Sequence, residues 1–172
     1  MFTKVQDSIV VQLPRFNDER GFFEELYSLS KLPNFSCMQV NCSRSKKNVL
    51  RGMHIVPFAK LVHCVKGKIF DVVVDMRKDS ETHLQWHGVE LNEDNQLSLY
   101  IPHNCAHGFL ALEESIVVYA QDGLYDPTTE YSVHYSSLGI EWPGTDFIVS
   151  EKDAKARTLY GQWQSLLLPS SR

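Results

Sequence analysis

Residues 49–75 place charged side chains inside runs of apolar and β-branched residues, in the sequence VLRGMHIVPFAKLVHCVKGKIFDVVVD. These runs have the composition of β-strands, yet they contain Arg51, His54, Lys60, Asp71 and Asp75. A charge that is buried without a partner is strongly destabilising, so charged groups in strands need ion pairs or water. The segment therefore predicts strands that enclose a polar cavity.

Short strand-like runs follow one another from residue 36 to about residue 136, and turn sequences such as Lys66-Gly67 and Asp126-Pro127 separate most of them. The runs are MQVNCSR, NVLRGMH, KLVHCVKG, KIFDVVVDMR, LQWHGVEL, LSLYIP, GFLAL, SIVVYAQ and YSVHYS. Many short strands at regular spacing are typical of a sandwich or a barrel. We expect a fold dominated by β-structure, a cupin-type jelly-roll barrel that closes around a pocket at one end.

The 172 residues are expected to form a single domain, residues 1–172. It comprises N-terminal strands over about residues 8–27, the barrel over about 36–149 and a short C-terminal helix over about 150–167. The helix is predicted because Ser150-Glu151-Lys152-Asp153 is a capping sequence, after which Leu159, Trp163 and Leu166 follow at helical spacing.

Composition argues against several classes of protein. The net charge of −4 and the pI near 5.9 argue against nucleic-acid binding, which needs a basic surface. No apolar run is long enough to span a membrane, and the N-terminus lacks the features of a signal peptide, so we expect a cytoplasmic protein. The spacing of the four cysteines matches no common zinc site, so we expect no bound metal.

The alternation of side chains along a strand predicts which charged groups share a face. Over residues 69–76 it places Asp71 and Asp75 on one face and leaves the other face apolar. Arg51 and His54 are three residues apart, so a regular strand would place them on opposite faces. Gly52 lies between them and permits a bulge that would bring both side chains to the same side.

Each of these residues also has a purely structural explanation. Arg51 could be a surface charge, Lys60 could protect an edge strand from pairing, and Asp153 could be the capping acid of its helix. A histidine in a strand is most often a packed or surface residue. Composition and spacing alone therefore indicate a β-barrel with a polar pocket.

Complete motifs carry a more specific signal over about residues 10–156. They are FNDERGFFEELY, QVNCSRS, NVLRGMH, AKLVHCVKGKIFDVVVDMRKDSET, LYIPHNCAHGFLAL, VVYAQDGLYDPTTE, GIEWP and VSEKDA. In this order they resemble the dTDP-4-dehydrorhamnose 3,5-epimerase family of cupin-fold sugar-nucleotide enzymes. The resemblance implies an isomerase, a carbohydrate epimerase that serves deoxysugar biosynthesis for a surface polysaccharide such as an O-antigen or for a natural product.

The resemblance also implies four catalytic residues. His54, which follows the LRG motif, is the expected base, and Asp153 in the SEKD motif is expected to orient it. Lys60 is expected to stabilise an enolate. Tyr119 in VVYAQD is expected to donate a proton on the opposite face of the sugar.

A second group of residues is implied to bind the substrate. Within it the two arginines would hold the diphosphate, and the histidine and aspartate would form the polar floor of the pocket. The implied residues are Arg20, Arg51, Glu25, Gln39, Asn41, His107, Tyr125 and Asp71.

The implied substrate is a nucleotide-diphosphate 4-keto-6-deoxyhexose, epimerised at C3, C5 or both through an enolate and without a cofactor. Residues 55–59, between His54 and Lys60, form a shorter loop than in the family's enzymes for dTDP-rhamnose precursors, so dTDP, CDP and GDP all stay open. The resemblance further implies a homodimer that exchanges N-terminal strands, so that Arg20 serves the partner's pocket.

Two alternatives accompany this interpretation. One is a cupin that binds sugar nucleotides without turnover. The other is a metal-dependent cupin oxygenase, which usually presents an HxH pair, a carboxylate and a later histidine to its metal. The absence of an HxH sequence disfavours the oxygenase.

Overall fold

The computed structural model of the chain describes residue 1 and residues 3–159. Its strands are β1 (Ile9–Gln12), β2 (Arg15–Asp18), β3 (Gly21–Glu24), β4 (Gln39–Ser45), β5 (Leu50–Ile55), β6 (Lys60–Lys66), β7 (Lys68–Asp75), β8 (Trp86–Asn92), β9 (Leu97–Ile101), β10 (Cys105–Ala111), β11 (Ser115–Gln121) and β12 (Tyr131–Ser132). A 3₁₀ turn over Tyr135–Ser137 and the helix α1 over Glu151–Ala154 follow. Among the described residues, no helix is long and apolar enough to cross a membrane.

Two five-stranded antiparallel sheets form the barrel. Their strand orders are β1-β9-β6-β11-β4 and β12-β5-β10-β7-β8, while β2 and β3 form a separate hairpin. The strand-like runs from MQVNCSR to YSVHYS correspond in order to β4 through β12. The expected fold, dominated by short antiparallel strands, is confirmed.

The apolar core fills the space between the two sheets. Its fully or almost fully buried strand residues include Val62, Cys64, Ile69, Val73, Leu91, Leu99, Ile101, Cys105, Phe109 and Val117. Val72 and Val74 of β7 belong instead to a cluster that packs the outer side of their sheet against the segment around Val133 and Leu138. The alternation predicted for β7 is thus confirmed.

Asp71 and Asp75 are both completely buried, but they serve different ends of β7. Asp75 accepts hydrogen bonds from the Arg77 guanidinium at 2.8 and 2.9 Å, from the Ser80 hydroxyl at 2.6 Å and from the Thr82 hydroxyl at 2.7 Å. Burial would raise the pKa of Asp75, but these hydrogen bonds hold it well below its usual range. Asp75 therefore anchors the loop after β7.

A bulge in β5 brings Arg51 and His54 to the same side of the sheet. The residues of β10 opposite them are two positions apart, whereas Arg51 and His54 are three apart, so β5 carries one extra residue. Gly52 has a φ of +126° at this point, and a Cβ on it would stand 2.6 Å from the Cα of Gly108 and 2.8 Å from the carbonyl oxygen of His107. The bulge predicted at Gly52 is confirmed, and it depends on close contact between two backbones.

The predicted C-terminal helix is interrupted after its first turn. The prediction over residues 150–167 is wrong for residues 155–158, because α1 ends at Ala154. Arg157 forms a parallel bridge with Val133, and this backbone pairing replaces the next helical turn. Leu159 is again helical, and residues 160–167 of the predicted helix lie outside the described residues.

We expect Gly52→Ala to destabilise the protein by about 2–6 kcal/mol, since it adds an overpacking term of about 1–3 kcal/mol to a left-handed backbone cost of about 1–3 kcal/mol. Urea unfolding measures this change. Gly21→Ala is the matched control, because Gly21 has a φ of +128° and nothing within 4 Å of the added Cβ. If both variants lose the same free energy of unfolding, the Gly52–Gly108 contact has no role in stability.

Candidate active site

A cavity of about 440 Å³ lies where β5, β6, β10 and β11 meet the segment around α1. All four predicted catalytic residues line it, together with Arg51 and His107. The lining residues are Ser43, Val49, Leu50, Arg51, His54, Lys60, His107, Phe109, Tyr119, Ile148, Val149, Ser150, Lys152 and Asp153.

His54 and Asp153 form a close pair in this cavity. The Nε2 atom of His54 lies 2.8 Å from Oδ1 of Asp153, and Oδ2 of Asp153 accepts a hydrogen bond from the Gly52 N–H at 3.3 Å. Burial would raise the pKa of Asp153, but its hydrogen bonds to His54, Gly52 and Ser150 lower it. The carboxylate is therefore ionised at neutral pH and fixes one edge of the imidazole ring.

The cap of α1 does not compete with this pair. The hydroxyl oxygen of Ser150 accepts the backbone N–H of Asp153 at 3.1 Å, so Ser150 supplies the cap and the Asp153 carboxylate faces His54. Ser150, and not the Asp153 carboxylate, therefore caps the helix, which leaves the carboxylate available to His54.

Lys60 presents an ammonium group from the first residue of β6, and it is only 8% exposed. Burial lowers the pKa of Lys60 to about 8, although Glu130 and Asp71 favour the charged form. Its Nζ atom lies 6.0 Å from the centroid of the Phe58 ring. A cation in such a poorly solvated position interacts strongly with any negative charge that develops beside it.

His107 and Asp71 form the buried polar layer that the sequence predicted. The Nε2 atom of His107 lies 2.8 Å from Oδ1 of Asp71. Burial lowers the pKa of His107, against the attraction of Asp71, so the imidazole is neutral at neutral pH. Oδ2 of Asp71 is buried without a hydrogen-bond partner in the described structure.

Tyr119 and Arg51 complete the lining. Burial raises the pKa of the Tyr119 phenol, so it keeps its proton at neutral pH and can act as an acid. Arg51 is exposed at the rim, where its Nε donates to the hydroxyl of Ser45 at 2.9 Å and its Nη2 donates to the carbonyl of Arg44 at 3.1 Å. These bonds fix the direction of the guanidinium.

Three predicted binding residues lie beside the cavity rather than in its lining. Gln39 donates to Asn41 at 2.8 Å, and Asn41 donates to the buried Gln121 at 3.1 Å. Gln39 also accepts the backbone N–H of Tyr125 at 3.1 Å, so this amide chain holds the segment after β11. Contact of Gln39, Asn41 and Tyr125 with a substrate stays a prediction.

Two other predicted residues do not reach this cavity within one chain. Arg20 lies at the tip of the β2–β3 hairpin, where it pairs with Asp18 at 2.6 Å. Glu25 follows the hairpin and pairs with Lys31 at 2.5 Å. Their binding roles stay predictions.

Glu130 belongs to the site, although the sequence reasoning missed it. Its Oε1 lies 3.3 Å from Nδ1 of His54, and its Oε2 accepts the hydroxyl of Tyr125 at 2.7 Å and pairs with Nζ of Lys152 at 3.0 Å. Glu130 is the last residue of the motif VVYAQDGLYDPTTE, so that motif was the one sequence signal that pointed to it. It lies in a loop, where the alternation of side chains does not predict which way a side chain points.

The short loop between His54 and Lys60 folds inward. Phe58 is 5% exposed and Ala59 is completely buried. The backbone N–H of Ala59 donates to Asp122 at 2.7 Å, and the absence of a side chain on Gly123 leaves room for Phe58. The loop is therefore largely buried next to Lys60 and adds no residue to the lining of the cavity.

Within residues 1 and 3–159, no group of three or more His, Cys, Asp or Glu side chains could hold a metal ion. The site that the structure does present is a set of acid and base groups around a cavity at the barrel wall. Fold and site together define a cupin-type β-barrel with an acid–base centre.

Comparison with known proteins identifies the family. The sequence model described as dTDP-4-dehydrorhamnose 3,5-epimerase matches residues 2–161. The dTDP-4-dehydrorhamnose 3,5-epimerase of Salmonella typhimurium is 40% identical, with 91% of this chain and 93% of that protein covered. The dTDP-4-dehydrorhamnose 3-epimerase of Streptomyces niveus is 35% identical, with 89% and 80% covered.

A solved structure agrees with the sequence comparison. The dTDP-6-deoxy-D-glucose-3,5-epimerase of Legionella pneumophila, in complex with dTDP-4-keto-L-rhamnose, superposes with a TM-score of 0.88 at 36% identity and covers 98% of this chain and 95% of that one. The chain belongs to the dTDP-4-dehydrorhamnose 3,5-epimerase family. The jelly-roll fold and the isomerase class expected from the sequence are confirmed.

We expect Lys60 to titrate near pH 8, far below an ordinary lysine. NMR of protein labelled with ¹³C at the lysine ε-carbons should reveal one signal that loses its proton in this range, and Lys60→Met should remove that signal alone. Below this pH the ammonium predominates, and above it the neutral amine does. Titration of every lysine in the ordinary range would contradict the burial of this charge.

Proposed function

We propose that this protein epimerises a dTDP-linked 4-keto-6-deoxyhexose at C3, C5 or both, by removing a carbon-bound proton and returning one to the opposite face. The observation that carries this proposal is the His54–Asp153 pair in one cavity with Lys60 and Tyr119. The relatives are named as epimerases of dTDP-linked sugars, which favours dTDP among the nucleotides that the sequence left open. They include both 3,5- and 3-epimerases, so the proposal covers epimerisation at C3 alone as well as at C3 and C5.

The 4-keto group explains why a base and an acid are both needed. It acidifies the C–H bonds at C3 and C5, because the resulting enolate spreads its charge onto the C4 oxygen. His54 accepts the proton, and Asp153 supports the imidazolium that forms, as the aspartate does in a catalytic triad. Tyr119, which is protonated at neutral pH, returns a proton from the opposite face of the ring.

Lys60 is the group best suited to stabilise the enolate. Its ammonium is buried in the wall of the cavity and is fixed before the reaction begins. Preorganised charge of this kind is often the largest contribution to catalysis. The proton needs no carrier outside the chain, so the proposed mechanism uses no cofactor.

The rim of the cavity provides a place for the diphosphate. Arg51 is oriented by Ser45 and by the Arg44 carbonyl, and a planar guanidinium suits bidentate contact with phosphate oxygens. Lys152 lines the same cavity and adds a second positive charge. The proposal therefore orients the nucleotide toward solvent and the sugar toward His54.

We expect the protein to incorporate deuterium at C3, C5 or both when it turns over a dTDP-4-keto-6-deoxy sugar in D₂O. His54→Ala should slow this exchange by about 10²- to 10⁴-fold, because it removes the general base. His87→Ala, on β8 outside the cavity lining, is the matched control. Mass spectrometry and NMR locate the label.

Two outcomes would count against the proposal. Tight binding of dTDP, CDP and GDP sugars without exchange would indicate a binding protein that lacks turnover. Activity that depends on a stoichiometric metal ion would indicate the oxygenase alternative.

The proposal includes a cytoplasmic homodimer in which the β2–β3 hairpin reaches the partner's cavity. Phe16, Phe22 and Phe23 on this hairpin are 62%, 59% and 67% exposed, and contiguous exposed apolar groups mark interaction surfaces. The Arg20 side chain is 85% exposed at the hairpin tip, where a phosphate bound to a second copy would compete with Asp18 for the guanidinium. The substrate class places the reaction in deoxysugar biosynthesis.

We expect Arg20→Ala and His54→Ala homodimers to be weakly active and mixed dimers to recover activity. In a mixed dimer one site keeps its own His54 and receives Arg20 from the partner subunit. Co-expression of the two variants with different tags and purification through both tags gives the mixed species. A monomer in sedimentation, or no recovery in the mixed dimer, would refute the shared site.

A further inference from the structure

Asp122 follows β11 directly and holds the residue that precedes Lys60. Its Oδ1 accepts the backbone N–H of Ala59 at 2.7 Å, and its own N–H donates to the carbonyl of Ala59 at 3.3 Å. The Asp122 side chain is only 10% exposed, so water competes poorly for this hydrogen bond. The proposed epimerase chemistry uses Lys60 but gives Asp122 no part.

The side chain of Asp122 continues the ladder between β6 and β11. The two strands pair with Lys60 opposite Gln121, and the same register places Ala59 opposite Asp122. In an antiparallel ladder the two residues of a hydrogen-bonded pair exchange two N–H···O bonds. Here the backbone makes one of the two bonds, and Oδ1 replaces the Asp122 carbonyl in the other. The chain can therefore bend at Asp122 and Gly123 while the N–H of Ala59 keeps an acceptor.

The approach to Lys60 depends on this side-chain bond. Ala59 is completely buried, and a buried N–H that loses its acceptor is costly to leave unsatisfied. Without the Asp122 carboxylate, the chain at Ala59 must shift or admit water to satisfy this group. Lys60 is the next residue, so either change alters the position of its ammonium or the surroundings of that ammonium.

The charge of Asp122 is not what makes it matter to Lys60. Among the described carboxylates, Glu130 and Asp71 favour the charged form of Lys60. Asp122 therefore acts on Lys60 through the geometry of the backbone at Ala59.

We propose that Asp122 is a positioning residue for Lys60, whose carboxylate fixes Ala59 and thereby the point at which the ammonium enters the cavity. The proposal rests on the proposed function, in which that ammonium stabilises the enolate. A charge stabilises a transition state best when it is already in place before the reaction begins. The hydrogen bond to Ala59 provides this preorganisation for Lys60.

Steady-state kinetics with a dTDP-4-keto-6-deoxy sugar test the proposal. Asp122→Ala should lower kcat by about 10- to 100-fold, because a misplacement of about 1 Å in an active site costs up to about 10² in rate. KM should stay constant, since the proposed diphosphate contact is with Arg51. Asp122→Asn keeps an oxygen acceptor for Ala59 and should retain the wild-type kcat. Asp94→Ala, which removes an exposed carboxylate in the turn between β8 and β9, is the matched control.

Three kinetic outcomes would overturn the proposal. They are an unchanged kcat in Asp122→Ala, a raised KM with an unchanged kcat, and a kcat in Asp122→Asn as low as that of Asp122→Ala. The last outcome would assign the effect to the charge of Asp122 and not to its hydrogen bond.

The titration of Lys60 supplies a second readout that needs no turnover. Burial lowers the pKa of Lys60, so contact with water should raise that pKa toward the ordinary value, whereas loss of a negative charge alone would lower it. NMR of protein labelled with ¹³C at the lysine ε-carbons should show a raised Lys60 titration in Asp122→Ala and an unchanged one in Asp122→Asn.

Asp122→Glu keeps the charge but moves the acceptor, so it should raise the Lys60 titration and lower kcat as well. It replaces Asp122→Ala if that variant does not fold. An unmoved Lys60 signal in the folded variant would overturn the proposal. If the wild type exchanges no deuterium while the Lys60 signal responds as expected, the proposed function fails and the positioning of Lys60 by Asp122 stands.

Discussion

The contact between the backbones of Gly52 and Gly108 is the constraint on which the site depends. It allows β5 to carry one extra residue opposite β10, and this turns Arg51 and His54 toward the same cavity. A regular strand would place Arg51, the proposed phosphate-binding group, and His54, the proposed base, on opposite sides of the sheet. The Gly52 N–H also donates to Asp153, so the same bulge helps to fix the carboxylate that contacts His54.

Buried charges around the cavity explain why the barrel tolerates polar residues in its strands. Each has a partner that offsets part of its desolvation: His107 has Asp71, and Asp153 has His54. Lys60 is the exception, since its charge is maintained by attraction to Glu130 and Asp71 at some distance. That incomplete compensation is what makes its ammonium responsive to a new negative charge in the cavity.

Much of the fold could be predicted from the sequence, and the family resemblance predicted the four catalytic candidates that line the cavity. Period-two alternation predicted the faces of β7, and a glycine between Arg51 and His54 predicted the bulge, because strand geometry leaves few options. Alternation could not separate the roles of Asp71 and Asp75, since both share a face and differ only in their position along the barrel. Glu130 lies in a loop, where direction is set by tertiary contacts with Tyr125 and Lys152 and not by local pattern. The early end of α1 likewise follows from long-range backbone pairing.

Proton transfer from carbon to His54 is the central claim, and a kinetic isotope effect measures it most directly. The wild-type protein would be given dTDP-4-keto-6-deoxy sugar carrying deuterium at C3 or C5, and its rate compared with that on the unlabelled sugar. We predict slower turnover of at least one labelled sugar and release of its deuterium to the solvent. Equal rates combined with full retention of the label in the product would contradict the account.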